Sequence, residues 1–464
     1  MENLIVELSK YLMIFLFAGY TFTCFHVLNG KKSYRWQKRI LRKQTKLMFL
    51  IHLNAFVVTF TVQKTADVLL TYVMQVALLC CILVIYKYIY KRANGLIVNN
   101  MCMLLAIGFV VLYRLRPDKA FRQYEIAVAA VVLTMLIPFI IRRLHFLDRL
   151  TWLYAIVGMA LLAAVAVLGS VSYGARLSFQ IAGIAVQPSE FVKILFVFFT
   201  ASMLARSTEF VQVVKATAVA ALHVLILVVS KDLGAALIFF ITYLVMLYVA
   251  TRNPFYFISG LACGSAAAVV AYKLFHHVRV RVTAWKDPLS VIDNEGYQIC
   301  QSLFAIGTGG WFGMGLYQGM PNKIPIVEED FVFAAVSEEL GGVFAVCLIM
   351  VCASCYLMFL NIAMQICDPF YKLIALGLGT VYGFQVFLTI GGVTKFIPST
   401  GVTLPLVSYG GSSLLSTFMI FAIIQGLYII REGEGGSGEK KSDEKRLGRA
   451  GRKTAEKGRW EASE

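Results

Sequence analysis

The sequence predicts an all-α polytopic membrane protein, and three observations carry that prediction. Of its 464 residues, 59% are hydrophobic and 15% charged, with a mean hydropathy of +0.74. A soluble domain is nearer half apolar and a quarter charged. Thirteen apolar runs are separated by charged breaks, and about 20 apolar residues suffice to cross a bilayer. Lys and Arg are distributed unevenly between alternate breaks, the usual mark of membrane topology. This pattern excludes a soluble domain, a disordered chain and a nucleic-acid partner, although the formal net charge is +17.

The expected spans are 4–29, 47–62, 68–90, 96–113, 123–141, 151–171, 190–205, 211–229, 233–250, 255–275, 334–360, 371–390 and 408–430. The first is read as a retained helix. Its run Tyr11–Leu28 exceeds a signal-peptide core, and acidic rather than basic residues precede it. The break Lys31–Lys46 holds eight Lys and Arg and no acid, and is read as a solvated topology determinant on the cytoplasmic side. Alternation from that point places 27 Lys and Arg inside and 13 outside. The N-terminus is therefore expected outside and the C-terminus in the cytoplasm. Arg114–Arg122, with four cations, is the local exception on the outer side. The tail Arg431–Glu464, rich in Gly and mixed charge, is expected to be disordered. The long outer stretch 276–333 is where chemistry is expected, because scaffolded loops carry function.

The acids point to the same stretch. Eight of the 26 lie in the tail, and eight of the remaining 18 fall between Asp287 and Glu339. Asp330 enters the membrane surface beside Phe331 and Phe333, with Glu338 and Glu339 soon after. Charge at membrane depth costs about 2.5–3.5 kcal/mol per group, so such residues line a cavity or pair. Glu190, Lys193, Lys231, Asp232 and Lys395 stand at other span ends on the same side, and Arg279 and Arg281 open the long stretch. A cation-lined groove at a lipid interface suits a lipid-linked diphosphate. A carboxylate of raised pKa suits general-base work. The charge pattern alone fits a transporter relay nearly as well.

The motifs narrow this. Gln187-Pro-Ser-Glu190-Phe-Val-Lys193, Lys231-Asp232-Leu-Gly234, and Gly296-Tyr-Gln298 with Gln301-Ser302 and the glycines from Gly307 to Gly315 occur in that order. Asp330-Phe-Val-Phe with Glu338-Glu339-Leu-Gly341, and Pro398-Ser-Thr-Gly401 leading to Ser408-Tyr-Gly-Gly-Ser412-Ser413, follow them. Together they resemble the SEDS family (shape, elongation, division and sporulation) of FtsW/RodA/SpoVE type. The resemblance covers about residues 96–430. It implies a ten-helix core there, a three-helix N-terminal extension at 1–95 and the charged tail 431–464.

The resemblance also implies a peptidoglycan glycosyltransferase that polymerises lipid II, with its undecaprenyl-linked glycan, at the outer face of the bacterial cytoplasmic membrane. It implies a class B penicillin-binding protein as transpeptidase partner. Asp330 takes the place of the family's essential acid and is read as the general base. Lys193, Arg281, Arg279 and Lys395 are expected to hold diphosphate. Glu190, Gln298, Gln301, Ser408 and Ser412 complete the expected substrate-binding set, and Glu338, Glu339 and Asp232 are expected to support it. A divalent cation, magnesium or manganese, is compatible with sharing the diphosphate charge, although no dedicated metal cage is visible. The glycines of the long stretch fit either backbone approach to a ligand or a re-entrant loop. The loop Gly174–Phe179 lacks the Trp common in this family, and Thr400 stands where some division-type members carry Lys. A lipid-precursor flippase and a non-catalytic scaffold for the transpeptidase are the competing readings. Inverted internal repeats would favour the first.

Overall fold

The structure is a computed structural model that describes residues 2–28, 34–144, 146–172, 175–181 and 184–431. The charged tail beyond Arg431, Lys31 and Lys32 of the basic break, and Gly174 of the Trp-less loop lie outside the described residues. In chain order the helices are α1 (Glu2–Leu28), α2 (Tyr34–Gln63), α3 (Ala66–Tyr88), α4 (Gly95–Leu115), α5 (Pro117–Thr134), α6 (Ile137–Arg143) and α7 (Thr151–Leu168). A small antiparallel sheet follows, β1 (Ser170–Ser172), β2 (Ala175–Ile181) and β3 (Ile184–Val186). Then come α8 (Ser189–Arg206), α9 (Phe210–Val229), α10 (Leu233–Thr251), α11 (Pro254–Leu274), α12 (His276–Lys286) and α13 (Tyr297–Gly309). The last four are α14 (Val332–Leu340), α15 (Gly342–Gln365), α16 (Pro369–Val393) and α17 (Gly411–Arg431).

The protein is an all-α polytopic membrane protein. Among the described residues twelve helical segments, with α5 and α6 counted together, are long and apolar enough to cross a membrane. The thirteenth apolar run of the sequence is α8. It carries Glu190, Lys193 and Arg206 within 18 residues and packs against α7, α10 and α16. Boundaries follow local chemistry. Asn94, Asp232, Asn253 and Asp368 cap α4, α10, α11 and α16 by accepting backbone N–H groups of the first turn. Pro117, Pro254 and Pro369 open helices where no N–H is needed.

Three expectations change. The span 123–141 is two helices, divided at Met135–Leu136 just before Pro138, whose ring cannot continue an i−4 hydrogen bond. The span 334–360 is also two. The short buried helix α14 ends at Gly341, whose φ of +91° admits glycine readily, and α15 starts afresh. The basic break is not a loop. Residues 34–46 continue α2 without interruption, giving one 30-residue helix about 45 Å long.

The core is centred on α4, which is buried almost throughout. It packs against α2, α3, α5 and α15. α1 lies against α2 and α15. Polar side chains join these helices inside the bundle: Tyr20 Oη donates to Asn100 Oδ1 (2.9 Å), and Asn100 Nδ2 donates to Ser354 Oγ (3.2 Å). The segment from α12 to α14 sits across one face of the bundle, together with the α4–α5, α9–α10 and α16–α17 connections.

Candidate active site

The loop Pro398–Gly401, between α16 and α17, is where the expected catalytic elements meet. Arg281 of α12 donates to the Ser399 carbonyl (3.2 Å). A Cβ placed on Gly401 would lie 3.4 Å from Asp330 Oδ2, so the carboxylate rests against this glycine. Beneath the loop, the Thr400 carbonyl lies 3.1 Å from the Cβ position of Gly234, at the start of α10. Trp285 anchors α12 to the same loop by donating to the Lys395 carbonyl (3.1 Å). Three motifs distant in sequence thus converge on one point.

Asp330 is half-buried, and among the described residues its carboxylate makes no hydrogen bond. Burial raises its pKa to about 6; neighbouring Glu329 adds to the rise and Arg281 opposes it. Burial also lowers the Arg281 pKa, against the pull of Asp330 and Asp232. Cation and carboxylate therefore face each other in a site where neither is fully solvated.

A second polar system lies deeper, between α8, α16 and α17, and it is closed. Lys193 Nζ donates to Glu190 Oε2 (2.6 Å) and to Gln385 Oε1 (2.9 Å). Ser416 Oγ donates to the same Glu190 oxygen (2.7 Å). Gln385 in turn donates to the Thr403 carbonyl and to Ser413 Oγ. Asp232 accepts from Ala235 N (3.0 Å), Ser189 Oγ (3.0 Å) and Gln187 Nε2 (3.3 Å). Burial raises the Asp232 pKa.

The expected site residues therefore separate. Asp330 and Arg281 share a mouth, with Asp232 below them. Lys193 and Glu190 are committed to each other rather than open to diphosphate. Arg279 is exposed; two positions from Arg281 on one helix, it points away from it. Lys395 holds the loop through its carbonyl. Gln298 and Gln301 lie half-buried on the first turns of α13, beside Ser302, which donates to the Val393 carbonyl. Substrate contact at Ser408 and Ser412 is not what their geometry provides. Ser408 Oγ accepts from Leu404 N and Ser412 Oγ accepts from Gln187 N, so both hydroxyls serve the backbone. The glycines Gly309 and Gly313 are pressed on α14: a Cβ at either would come within 2.4 Å of a backbone oxygen of that helix, at 2.1 Å from Ser337 O and 2.4 Å from Glu339 O.

Two of the four Arg114–Arg122 cations, Arg114 and Lys119, have partners that the sequence did not reveal. Arg114 pairs with Glu339 (2.9 Å), which burial nevertheless raises to a pKa of about 7. Lys119 pairs with Glu328 (2.6 Å) and Glu329 (3.3 Å) and lies over the Tyr409 ring. Glu338 accepts from Met320 N (2.8 Å). Acids before and within α14 thus pair with two of the four cations of the break on their own face. The signal was present in the sequence as four cations on the wrong side of the count.

Beside the loop, an apolar groove of about 500 Å³ runs between α10, α15 and α16, from Ile241 and Tyr356 to Phe387, Thr394 and Phe396. Among the described residues no group of three or more His, Cys, Asp or Glu converges as a metal site. The cation that acts on Asp330 in this site is Arg281.

The family model for cell cycle proteins of FtsW/RodA/SpoVE type matches residues 92–431. The peptidoglycan glycosyltransferase RodA of Mycobacterium tuberculosis is 35% identical over 360 residues, 71% of this chain and 77% of that protein. Stage V sporulation protein E of Bacillus subtilis is 30% identical over 350 residues, 71% of this chain and 94% of that one. Among solved structures, a chain of a peptidoglycan synthase complex coordinating polymerization and crosslinking superposes with a TM-score of 0.62 at 26% identity. That match covers 73% of this chain and 98% of that one. The rod shape determining protein RodA of Thermus thermophilus superposes at 0.53 with 25% identity, covering 73% and 97%. The chain belongs to the FtsW/RodA/SpoVE family.

Proposed function

We propose that this protein is a peptidoglycan glycosyltransferase that polymerises lipid II, with Asp330 as general base. The observation that carries the reading is a carboxylate with raised pKa and, among the described residues, no hydrogen-bond partner, facing Arg281 beside Gly401. A base poised near neutrality, with free lone pairs, suits removal of a proton from a sugar hydroxyl. The acceptor 4-hydroxyl loses its proton to Asp330, and its oxygen attacks the donor anomeric carbon. The bond from that carbon to the diphosphate oxygen breaks, and undecaprenyl diphosphate leaves with the electron pair. Attack opposite the leaving group inverts an α-linked donor to a β-1,4 bond. Arg281 stabilises charge on the departing diphosphate, and the apolar groove beside the loop is suited to a polyprenyl chain.

The cation bias, 27 against 13, supports placing the α12–α14 face outside the cytoplasmic membrane, with the C-terminus in the cytoplasm. A transpeptidase partner is supported by the structural likeness to a chain of a synthase complex that coordinates polymerization with crosslinking. Residues 1–95 are then an addition to a core at 96–430, consistent with solved relatives matched over nearly their whole length by 73% of this chain.

The test is purified protein with lipid II, with and without a transpeptidase partner, comparing wild type and Asp330→Ala. The expected result is glycan strands from wild type alone. Strands made equally by the variant remove Asp330 as base. No strands under any partner condition favour a flippase or a scaffold.

A further inference from the structure

The three N-terminal helices precede the family-matched region, yet two of them, α1 and α2, touch the segment that leads to Asp330. On α1, Lys10 Nζ donates to the Gly313 carbonyl (3.3 Å), and the Tyr11 ring lies 5.8 Å from Phe312. Val6 is seated on Gly315, where a Cβ would come within 2.9 Å of its Cγ1 and where φ is +104°. On α2, Gln63 Nε2 donates to Tyr317 Oη (3.1 Å), and Thr59, one turn earlier, reaches the same phenol. Tyr317 itself has a φ of +69°, a conformation costly for a bulky residue and kept only where surroundings enforce it.

The same tyrosine passes the contact inward. Its ring carries the Arg114 guanidinium at 4.6 Å. Arg114 pairs with Glu339 (2.9 Å) and donates to the Gly319 carbonyl (3.2 Å). Backbone bonds from Met314 N to the Glu338 carbonyl and from Gly315 N to the Glu339 carbonyl (both 2.9 Å) fasten the segment to α14. Asp330 stands two residues before the other end of that nine-residue helix.

We infer that α1 and α2 are a brace for catalysis: they hold residues 313–317, chiefly through Tyr317, and that segment fixes the α14 helix that presents Asp330. Gln63 and Tyr317 are positioning residues in this scheme, acting through Arg114 and α14 rather than on substrate. The catalytic consequence rests on Asp330 being the base; the brace itself does not.

The experiment uses the full chain in lipid nanodiscs, with Gln63→Leu, Tyr317→Phe and the double variant. Tyr317→Phe keeps the ring under Arg114 and removes only the hydroxyl. Hydrogen–deuterium exchange of residues 328–340 is read beside glycan synthesis from lipid II with the transpeptidase partner. Each single variant is expected to exchange faster over 328–340, with α16 unchanged. The turnover number should fall about fivefold, the worth of about one net hydrogen bond, while the KM for lipid II stays within about twofold. The double variant should be no worse than Tyr317→Phe alone, because that change already removes the bond to Gln63. Unchanged exchange in both variants overturns the brace, whatever the activity. Faster exchange with unaltered turnover overturns its catalytic consequence. Faster exchange in a protein whose wild type and Asp330→Asn forms both make no glycan leaves the brace standing and removes the glycosyltransferase reading instead.

Discussion

Asp232 and Asp330 are both carboxylates at the same face of the bundle, both raised in pKa by burial and both within the field of Arg281. They differ in what surrounds them. Asp232 caps α10 and accepts from Ser189 and Gln187, and the adjoining Glu190–Lys193 pair is closed by Gln385 and Ser416. Asp330 makes no hydrogen bond among the described residues. Asp330 is only half-buried, so its carboxylate oxygens stay open to solvent or to a bound molecule. The closed system reads as scaffold for three helices, and the open one as the place where substrate supplies the missing partner.

Substitutions can break that contrast. Asp330→Asn is nearly isosteric and should lower glycan synthesis by about 10²–10⁴-fold, the usual worth of a general base, in a lipid II polymerisation assay. The same variant should melt higher than wild type at pH 7.5. A folded-state pKa raised to about 6 means that the ionised form is disfavoured in the fold, so stability falls as pH rises through that value. A lower or equal melting temperature would show that Asp330 is held by bonds the structure lacks. Lys193→Met should do the opposite. It leaves Glu190 buried without its cation and should cost about 3–5 kcal/mol of stability, read as loss of folded protein in a thermal-shift series.

Smaller effects sharpen the line between the two systems. The wild-type rate should drop with an acidic limb near pH 6, about tenfold per pH unit below it, because protonated Asp330 cannot accept a proton. A flat profile from pH 5 to 7 would place the controlling base elsewhere. Ser412→Ala removes the acceptor for Gln187 N and should cost about 1 kcal/mol of stability, with the KM for lipid II unchanged. A large KM rise would return Ser412 to the substrate.

Much of this was legible in the sequence. The thirteen apolar runs correspond to helices; the ordered motifs singled out Asp330 and the charge pattern singled out Arg281, and the two act on each other in the structure. What was not legible has physical causes. The expected span 334–360 runs across Ser337-Glu338-Glu339, and the angle at which the chain breaks there is set by the positive φ of Gly341, which composition does not show. The sheet between α7 and α8 is built from three short strands, which lack a sustained alternation. Gln385 and Ser416 lie in apolar helices, and their link to Lys193 and Glu190 emerges only when α8 is laid beside them. Arg114 and Glu339 are 225 residues apart, and no sequence period links them.

That separation has a consequence for how the chain is made. Lys119 meets Glu328 across 209 residues. At about 5–20 residues per second, the cations after α4 wait about 10–40 s before their counter-charges leave the ribosome. On the proposed orientation they must be carried across the membrane uncompensated, against the usual cation bias. By then α2 has already been synthesised, with six exposed Lys and Arg, from Arg35 to Lys46, along its first turns. The opening hairpin is thus committed before the unfavourable crossing begins, and the later acids only lock in place a topology that the earliest helices have decided.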